Sequence, residues 1–128
     1  MRLALKAILT VGGIAAVLIG LAHIALGPAS IPGSVPVNPT MDSEDRFYAA
    51  IFFGFGVSIL WSAQSIEHRG RVIRFLIAVF FLGGCAHVIS MMLVGPPNQL
   101  FQALMAVELL LPLVVWFLLG RVEHLQNR

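Results

Sequence analysis

The sequence predicts an all-α integral membrane protein, a four-helix bundle with both termini in the cytoplasm. Three observations support this prediction. Of the 128 residues, 59% are hydrophobic and only 11% are charged, with a mean hydropathy of +0.93, whereas a soluble domain carries about 25% charged residues. The apolar residues fall into four separate segments. Nearly all basic residues lie at segment ends that fall on one side of a four-span layout.

The four apolar segments cover about residues 3–26, 47–64, 72–94 and 100–119. Each is close to the ~20 residues that a helix needs to cross the hydrocarbon core of a bilayer. A backbone in lipid must satisfy its own hydrogen bonds, so all four segments are expected to be helices. Together they are predicted to form one domain over residues 1–128.

The first segment has a second interpretation. "MRLALK" followed by an apolar run resembles a cleaved secretory signal peptide. The apolar run is longer than the roughly 7–15 residues of a signal-peptide core, however, which favours a retained helix.

The connections between the segments differ in character. The first, "GPASIPGSVPVNPTMDSEDR", contains four prolines, at Pro28, Pro32, Pro36 and Pro39. Prolines at this density predict an extended loop with no continuous helix. Three acidic residues then place negative charge at the start of the second helix, where the helix dipole favours it: Asp42, Glu44 and Asp45. The second connection is short and basic, and the third, "GPPNQ", is predicted to be a tight turn.

Orientation follows from the basic residues. Arg46 alone lies on one side of a four-span layout. The other basic residues lie on the opposite side: Arg2, Lys6, Arg69, Arg71, Arg74, Arg121 and Arg128. The positive-inside rule therefore places both termini and the second connection in the cytoplasm. Because the basic residues mark span ends, the pI near 9.3 does not indicate nucleic-acid binding.

Small residues at helical spacing are expected to mark the contacts between helices, because lipid gives apolar helices no hydrophobic reason to associate. Three segments carry such residues on one face. They are Gly12, Ala16 and Gly20 in the first, Ala50, Gly54 and Ser58 in the second, and Gly83 and Gly84 in the third.

Glu108 is the most unusual residue of the sequence, because it interrupts the fourth apolar segment. An ionisable group inside a membrane is normally buried with a partner. Glu108 is predicted roughly 12 Å below the outer end of its helix and His87 roughly 10 Å below the same side, so His87 is the first candidate partner. Arg46, at the outer end of the second helix, is the other candidate.

Pro112 adds to this polar spot, because it has no N–H to donate to the carbonyl of Glu108 four residues earlier. Three interpretations of Glu108 stay open. It can be a structural polar pin that determines which helices meet, a site for a ligand, lipid head group or proton, or a protonated side chain in a packed core.

No motif in the sequence indicates catalysis or a bound cofactor. It contains no Ser–His–Asp grouping, cysteine cluster, glycine-rich phosphate loop or H-x-x-x-H motif. His23 and His87 could ligate a metal or a haem between two helices, but their unequal predicted depths argue against it. We expect no catalytic residue, no metal and no cofactor, and we group His23 with the polar residues of the membrane interior.

Three stretches of the sequence resemble a family of short four-span bacterial membrane proteins, known only as a domain of unknown function. They are "EDRFYAAIFFGFGVSILW", "FLIAVFFLGGCAHVISMMLVGPP" and "AVELLLPLVVWFLL". The specific parts are Glu44, Arg46 and Phe47; Gly83, Gly84 and His87; and Glu108 with Pro112. That family often has arginine where this chain has His87. The resemblance implies the four-span fold and a bacterial inner membrane, and it implies no activity.

Three functional classes follow. The first is a non-catalytic accessory subunit of a larger membrane complex, such as a transporter of lipids or other hydrophobic solutes, with membrane lipids as further partners. The second is a stand-alone binder or carrier of a lipid or small apolar ligand in an outer-leaflet pocket near Glu108. The third is a membrane enzyme that uses Glu108 and His87 as acid and base.

Overall fold

The computed structural model describes residues 1–126, so Arg128, which contributed to the predicted orientation, lies outside the described residues. Within that range the chain is helical and has no strand, which confirms the all-α class. The four long helices are α1 (Arg2–Leu26), α2 (Pro39–Ala63), α3 (Ile66–Val94) and α4 (Gln99–Gln126), with a short 3₁₀ helix at Gly27–Ser30. Each of the four is long and apolar enough to cross a membrane.

The start of α2 differs from the prediction. An extended loop was expected through residue 46, but α2 begins at Pro39. The side chain of Asn38 caps this end, with its Oδ1 accepting from the backbone N–H of Met41 at 2.9 Å. Pro39 occupies the first position of the helix, where a missing N–H costs nothing. The last proline of the connection therefore begins a helix, and the acidic residues after it lie on its first turns.

The described chain divides into two compact units. The first unit is Leu9–Gln64, which contains most of α1 and all of α2. The second unit combines Met1–Ile8 with the chain from Ser65 onward and contains α3 and α4. Each unit is thus built around one pair of helices joined by one connection.

In the first unit, the backbones of α1 and α2 come into direct contact at glycines. A Cβ built on Gly20 would lie 2.8 Å from the backbone nitrogen of Phe53, and one on Gly56 would lie 2.7 Å from that of Val17. Neither position has room for a side chain. Ala16 is also buried, and it lies beside Gly56. This is the close approach that small residues permit.

The face of α1 that packs in this unit includes two of the three predicted residues, Ala16 and Gly20. Nothing lies within 4 Å of a Cβ built on Gly12, whereas one on Gly13 would lie 2.8 Å from Leu60. At this end of the helix the contact therefore passes through Gly13 and not through Gly12.

On α2 the contact lies on a different face from the predicted one. Of the predicted ridge, Ala50 is exposed, a Cβ on Gly54 would have nothing within 4 Å, and Ser58 donates its hydroxyl to the carbonyl of Gly54 at 2.8 Å. Ala49 and Gly56 are buried in their place. The sequence contains two small-residue faces on α2, and the unit uses the one that was not predicted.

In the second unit, α3 and α4 pack along their lengths. A Cβ on Gly84 would lie 3.0 Å from Glu108, whereas one on Gly83 would have nothing within 4 Å. Pro112 is buried within α4, which continues through it. Ile73 and Leu119 are among the most deeply buried side chains. Gly84 is thus the small residue that brings α3 against the turn of α4 carrying Glu108.

We expect Gly56→Ala to lower the thermal unfolding midpoint of the purified protein in mild detergent. The added methyl group must displace the backbone of α1, which corresponds to about 1–3 kcal/mol of overpacking. The measurement is circular dichroism at 222 nm as a function of temperature.

The matched control is Gly54→Ala, two residues away on the same helix. It adds the same methyl group in open space, and alanine favours a helix by about 1 kcal/mol over glycine. Its midpoint should therefore stay the same or rise. Equal losses in both variants would contradict the packing described here.

Candidate functional site

The four predicted polar residues lie in two different places. His87 and Glu108 are together in the second unit, and we call this pair the Glu108 site. His23 and Arg46 lie in the first unit, where each contacts an acidic residue of α2. We call the group formed by His23, Asp42, Asp45 and Arg46 the connection cluster.

The Glu108 site is formed by one turn of α3 and one turn of α4. Nδ1 of His87 lies 2.7 Å from Oε2 of Glu108. Gly84 precedes His87 by one turn on the same face of α3, and its missing side chain is what allows Glu108 to approach. The Glu108 side chain is 17% exposed, whereas that of His87 is 51% exposed. The carboxylate is therefore covered and the imidazole is accessible.

The contact between them is short but poorly aligned. Although the two atoms are within ion-pair distance, Oε2 of Glu108 is buried and accepts no hydrogen bond of acceptable geometry from the described residues. A buried acceptor without a donor costs about 1–3 kcal/mol. The site therefore favours an additional donor from a ligand, such as a hydroxyl group or an ammonium group.

Pro112 lies buried one turn beyond Glu108 on α4. Because proline has no N–H, the carbonyl of Glu108 lacks its usual helical donor. A second acceptor is thus expected at the same level of α4 as the carboxylate.

In the connection cluster, Arg46 joins α2 to the end of α1. Its Nε and Nη2 donate to the two carboxylate oxygens of Asp42, at 2.9 and 3.2 Å. Its Nη1 donates to the carbonyls of Ile24 and Ala25, at 2.6 and 3.2 Å. These carbonyls belong to the last turn of α1, which has no helical donors left for them. All three donor nitrogens of Arg46 are engaged within the first unit, so Arg46 acts as a C-terminal cap of α1.

Gly27 makes this arrangement possible. It has φ +63, a conformation that favours glycine. A Cβ there would lie 2.5 Å from Oδ1 of Asp42 and 2.9 Å from Nη2 of Arg46. The chain therefore leaves α1 through a turn that packs directly on the Arg46–Asp42 pair.

His23 lies one turn before Gly27 and pairs with Asp45. Its Nδ1 is 3.1 and 3.2 Å from the two carboxylate oxygens of Asp45. Both side chains are mostly buried. His23 thus joins α1 to α2 beside the Arg46–Asp42 pair.

Three polar contacts of the structure were not predicted from the sequence. The spacing of Asp42 and Arg46, four residues apart on one helix, was an available signal for their pairing. No local signal in the sequence indicated the pairing of His23 with Asp45, because these residues are 22 positions apart. The third feature is an ion pair between Arg74 and Glu123 in the second unit.

Arg74 was interpreted only as part of the positive-inside pattern. Its guanidinium lies 4.7 Å from the ring centroid of Trp116, in addition to its contact with Glu123. The other carboxylate oxygen of Glu123 occupies the space of a missing side chain, 2.5 Å from a Cβ built on Gly70. Residues 49 positions apart form this pair, so no local pattern could have indicated it.

A groove of about 520 Å³ opens between the α1–α2 connection and the first turns of α2. It lies entirely within the first unit. Its walls are mostly apolar, and Glu44, Asp45 and Tyr48 also line it. The connection had been predicted only as an extended loop, so the groove was not anticipated.

A double-mutant cycle tests the Glu108 site. We expect Glu108→Gln and His87→Asn to be coupled by about 0.5–3 kcal/mol in the free energy of unfolding, because residues in contact are not additive. The measurement is reversible unfolding in mixed detergent micelles.

Arg46→Gln is the control partner for Glu108→Gln. Because Arg46 already donates to Asp42 and to the carbonyls of α1, its effect should add to that of Glu108→Gln. Additive effects of the His87 and Glu108 substitutions would contradict the pairing.

Comparison with known proteins agrees with the resemblance noted in the sequence. The family model described as a domain of unknown function, DUF4345, matches residues 4–119. Searches of curated proteins and of solved structures gave no significant match. The matched range includes the Glu108 site, the connection cluster and the groove. The chain therefore belongs to the DUF4345 family, a domain of unknown function.

Proposed function

We propose that the protein is a small non-catalytic accessory subunit of a larger complex in the bacterial inner membrane. The observation that supports this proposal most directly is the unused small-residue face of α2, formed by Ala50, Gly54 and Ser58. Both termini are proposed to lie in the cytoplasm, on the basis of the basic residues at the span ends.

The unused face is suited to contact with another helix. Nothing lies within 4 Å of a Cβ at Gly54, so a foreign backbone can approach closely there. Ser58 donates its hydroxyl to the carbonyl of Gly54, so that donor is already satisfied. Larger exposed side chains flank the open position at Gly54, among them Ile51 and Val57. In a membrane, such a surface gains van der Waals contact from a helix that follows its shape.

The small-residue face on α1 supports the accessory role by analogy. Ala16 and Gly20 are buried inside the first unit. A ridge of this kind therefore has a packing function in this chain, and the second ridge is proposed to have the same function toward a different protein.

A second function is favoured by the Glu108 site. Oε2 of Glu108 is buried without a hydrogen-bond donor, beside the half-exposed His87. This combination suits a ligand that has an apolar body and one donor group, such as a lipid or small apolar molecule with a hydroxyl. The protein would then act as a stand-alone binder or carrier.

We expect wild-type protein to retain a stoichiometric membrane partner in a mild-detergent pull-down, and Gly54→Leu to lose most of it. The leucine side chain fills the space that close backbone approach requires. The measurement is the ratio of partner to bait by quantitative mass spectrometry.

Gly83→Leu is the matched control, because Gly83 lies on α3 and also has nothing within 4 Å. This variant should keep the partner. Ala16→Leu is not informative, because Ala16 is buried and its substitution disturbs the first unit. A wild-type preparation without a stoichiometric partner would refute the accessory role and leave the ligand-binding function.

The orientation is tested by cysteine labelling in a Cys85→Ala background, which removes the native thiol. Ser34→Cys and Gln99→Cys should react with a membrane-impermeant thiol reagent in intact cells, whereas Arg71→Cys should not. Arg71 is exposed and is therefore a suitable labelling position. The neighbouring Gly70 is not suitable, because it is buried against Glu123.

Permeabilised cells provide the control, since Arg71→Cys should then be labelled. Labelling of Arg71→Cys alone in intact cells would reverse the proposed orientation.

A further inference from the structure

We propose that the groove beside the α1–α2 connection binds a lipophilic cation, a molecule with an apolar body and an ammonium group. This site is separate from the Glu108 site and from the unused face of α2, and it does not depend on the accessory role.

The groove has two kinds of wall. One wall is the connection, which contributes Ile31, Val35 and Val37. The other is one face of α2, because Met41, Glu44 and Tyr48 follow each other at helical spacing. The volume of about 520 Å³ lies within the range of roughly 300–1,000 Å³ that is typical of small-molecule sites.

Hydrogen-bonded turns restrict the backbone of the connection near both of its ends. The backbone N–H of Ile31 donates to the carbonyl of Pro28 at 3.0 Å, and that of Ser34 donates to Ile31 at 3.1 Å. Asn38 caps α2 at the other end. These turns reduce the ordering that binding requires of this wall.

Charge selects a cation rather than an anion. Residues 28–48 contain three carboxylates, at Asp42, Glu44 and Asp45, and one guanidinium, at Arg46, which gives a net charge of −2. Asp42 is paired with Arg46, and Asp45 with His23. Glu44 is exposed, and its carboxylate makes no hydrogen bond or ion pair within the described chain. It is therefore the acidic group available to a ligand.

Tyr48 provides a second contact for a positive charge. Its side chain is 63% exposed and lies one helical turn after Glu44, on the same side of the groove. Its ring makes a T-shaped contact with the ring of Phe47, at a centroid distance of 5.5 Å. A carboxylate beside an accessible aromatic face attracts ammonium groups by charge and by cation–π contact. The aliphatic side chains of the connection then cover the apolar body.

The test uses three probes with the same eight-carbon chain and different head groups: octyltrimethylammonium, octanol and octyl sulfate. The protein is placed in maltoside micelles, which contribute no charge, with ¹³C-labelled methionine methyl groups. Met41 lines the groove, whereas Met1, Met91, Met92 and Met105 belong to the second unit. We expect octyltrimethylammonium to shift the Met41 resonance saturably, with an apparent Kd about ten-fold lower than that of octyl sulfate.

Variants identify the contacts. Glu44→Gln and Tyr48→Leu should each raise the Kd for octyltrimethylammonium about ten-fold, while Tyr48→Phe keeps the aromatic face and should bind as wild type does. Both residues are exposed, so an unchanged thermal midpoint serves as the control for folding. Equal affinity for ammonium and sulfate, an unchanged Kd in Glu44→Gln, or no saturable shift of Met41 would each overturn the proposal.

Discussion

Backbone contact between α1 and α2 is the constraint on which the first unit depends. At Gly20 and Gly56 each helix lies so close to the other that no side chain fits between them. This closeness brings the end of α1 within reach of α2, so that Arg46 can cap the carbonyls of α1 and His23 can contact Asp45. The polar contacts of the unit are therefore consequences of a steric fit.

In the second unit, the polar contacts likewise depend on close packing at glycines. Gly84 lets α3 approach the turn that carries Glu108, and Gly70 leaves room for the carboxylate of Glu123. Each glycine lies within about one turn of the basic residue that pairs with that carboxylate, His87 in the first case and Arg74 in the second. At both positions the missing side chain of a glycine leaves room for the carboxylate of an ion pair. Such pairs add little net stability, because the cost of removing charges from water offsets much of their attraction.

Much of the fold was predictable because hydropathy depends on single residues and their neighbours. The four apolar helices followed from segment length and composition alone. The start of α2 was not predicted correctly, because Pro39 can end or begin a helix and the deciding contact is the cap by Asn38. Two of the three predicted residues on α1 lie in the contact, whereas the predicted face of α2 does not. When one helix has two small-residue faces, the face that contacts the neighbouring helix cannot be identified without the position of that neighbour. The spacing of apolar segments suggested His87 and Glu108 as neighbours, but His23 with Asp45 required the folded chain.

The early start of α2 also affects how the helix fits a bilayer. Its first turns carry three carboxylates, which cannot enter hydrocarbon without a large cost. The apolar part, residues 47–63, then measures about 25 Å at 1.5 Å per residue, which is shorter than a hydrocarbon core of about 30 Å. In a chain that crosses a membrane, this hydrophobic mismatch must thin the lipid beside α2 or be relieved by contact with protein. Contact of the Gly54 face with another protein would relieve this mismatch on that side of α2.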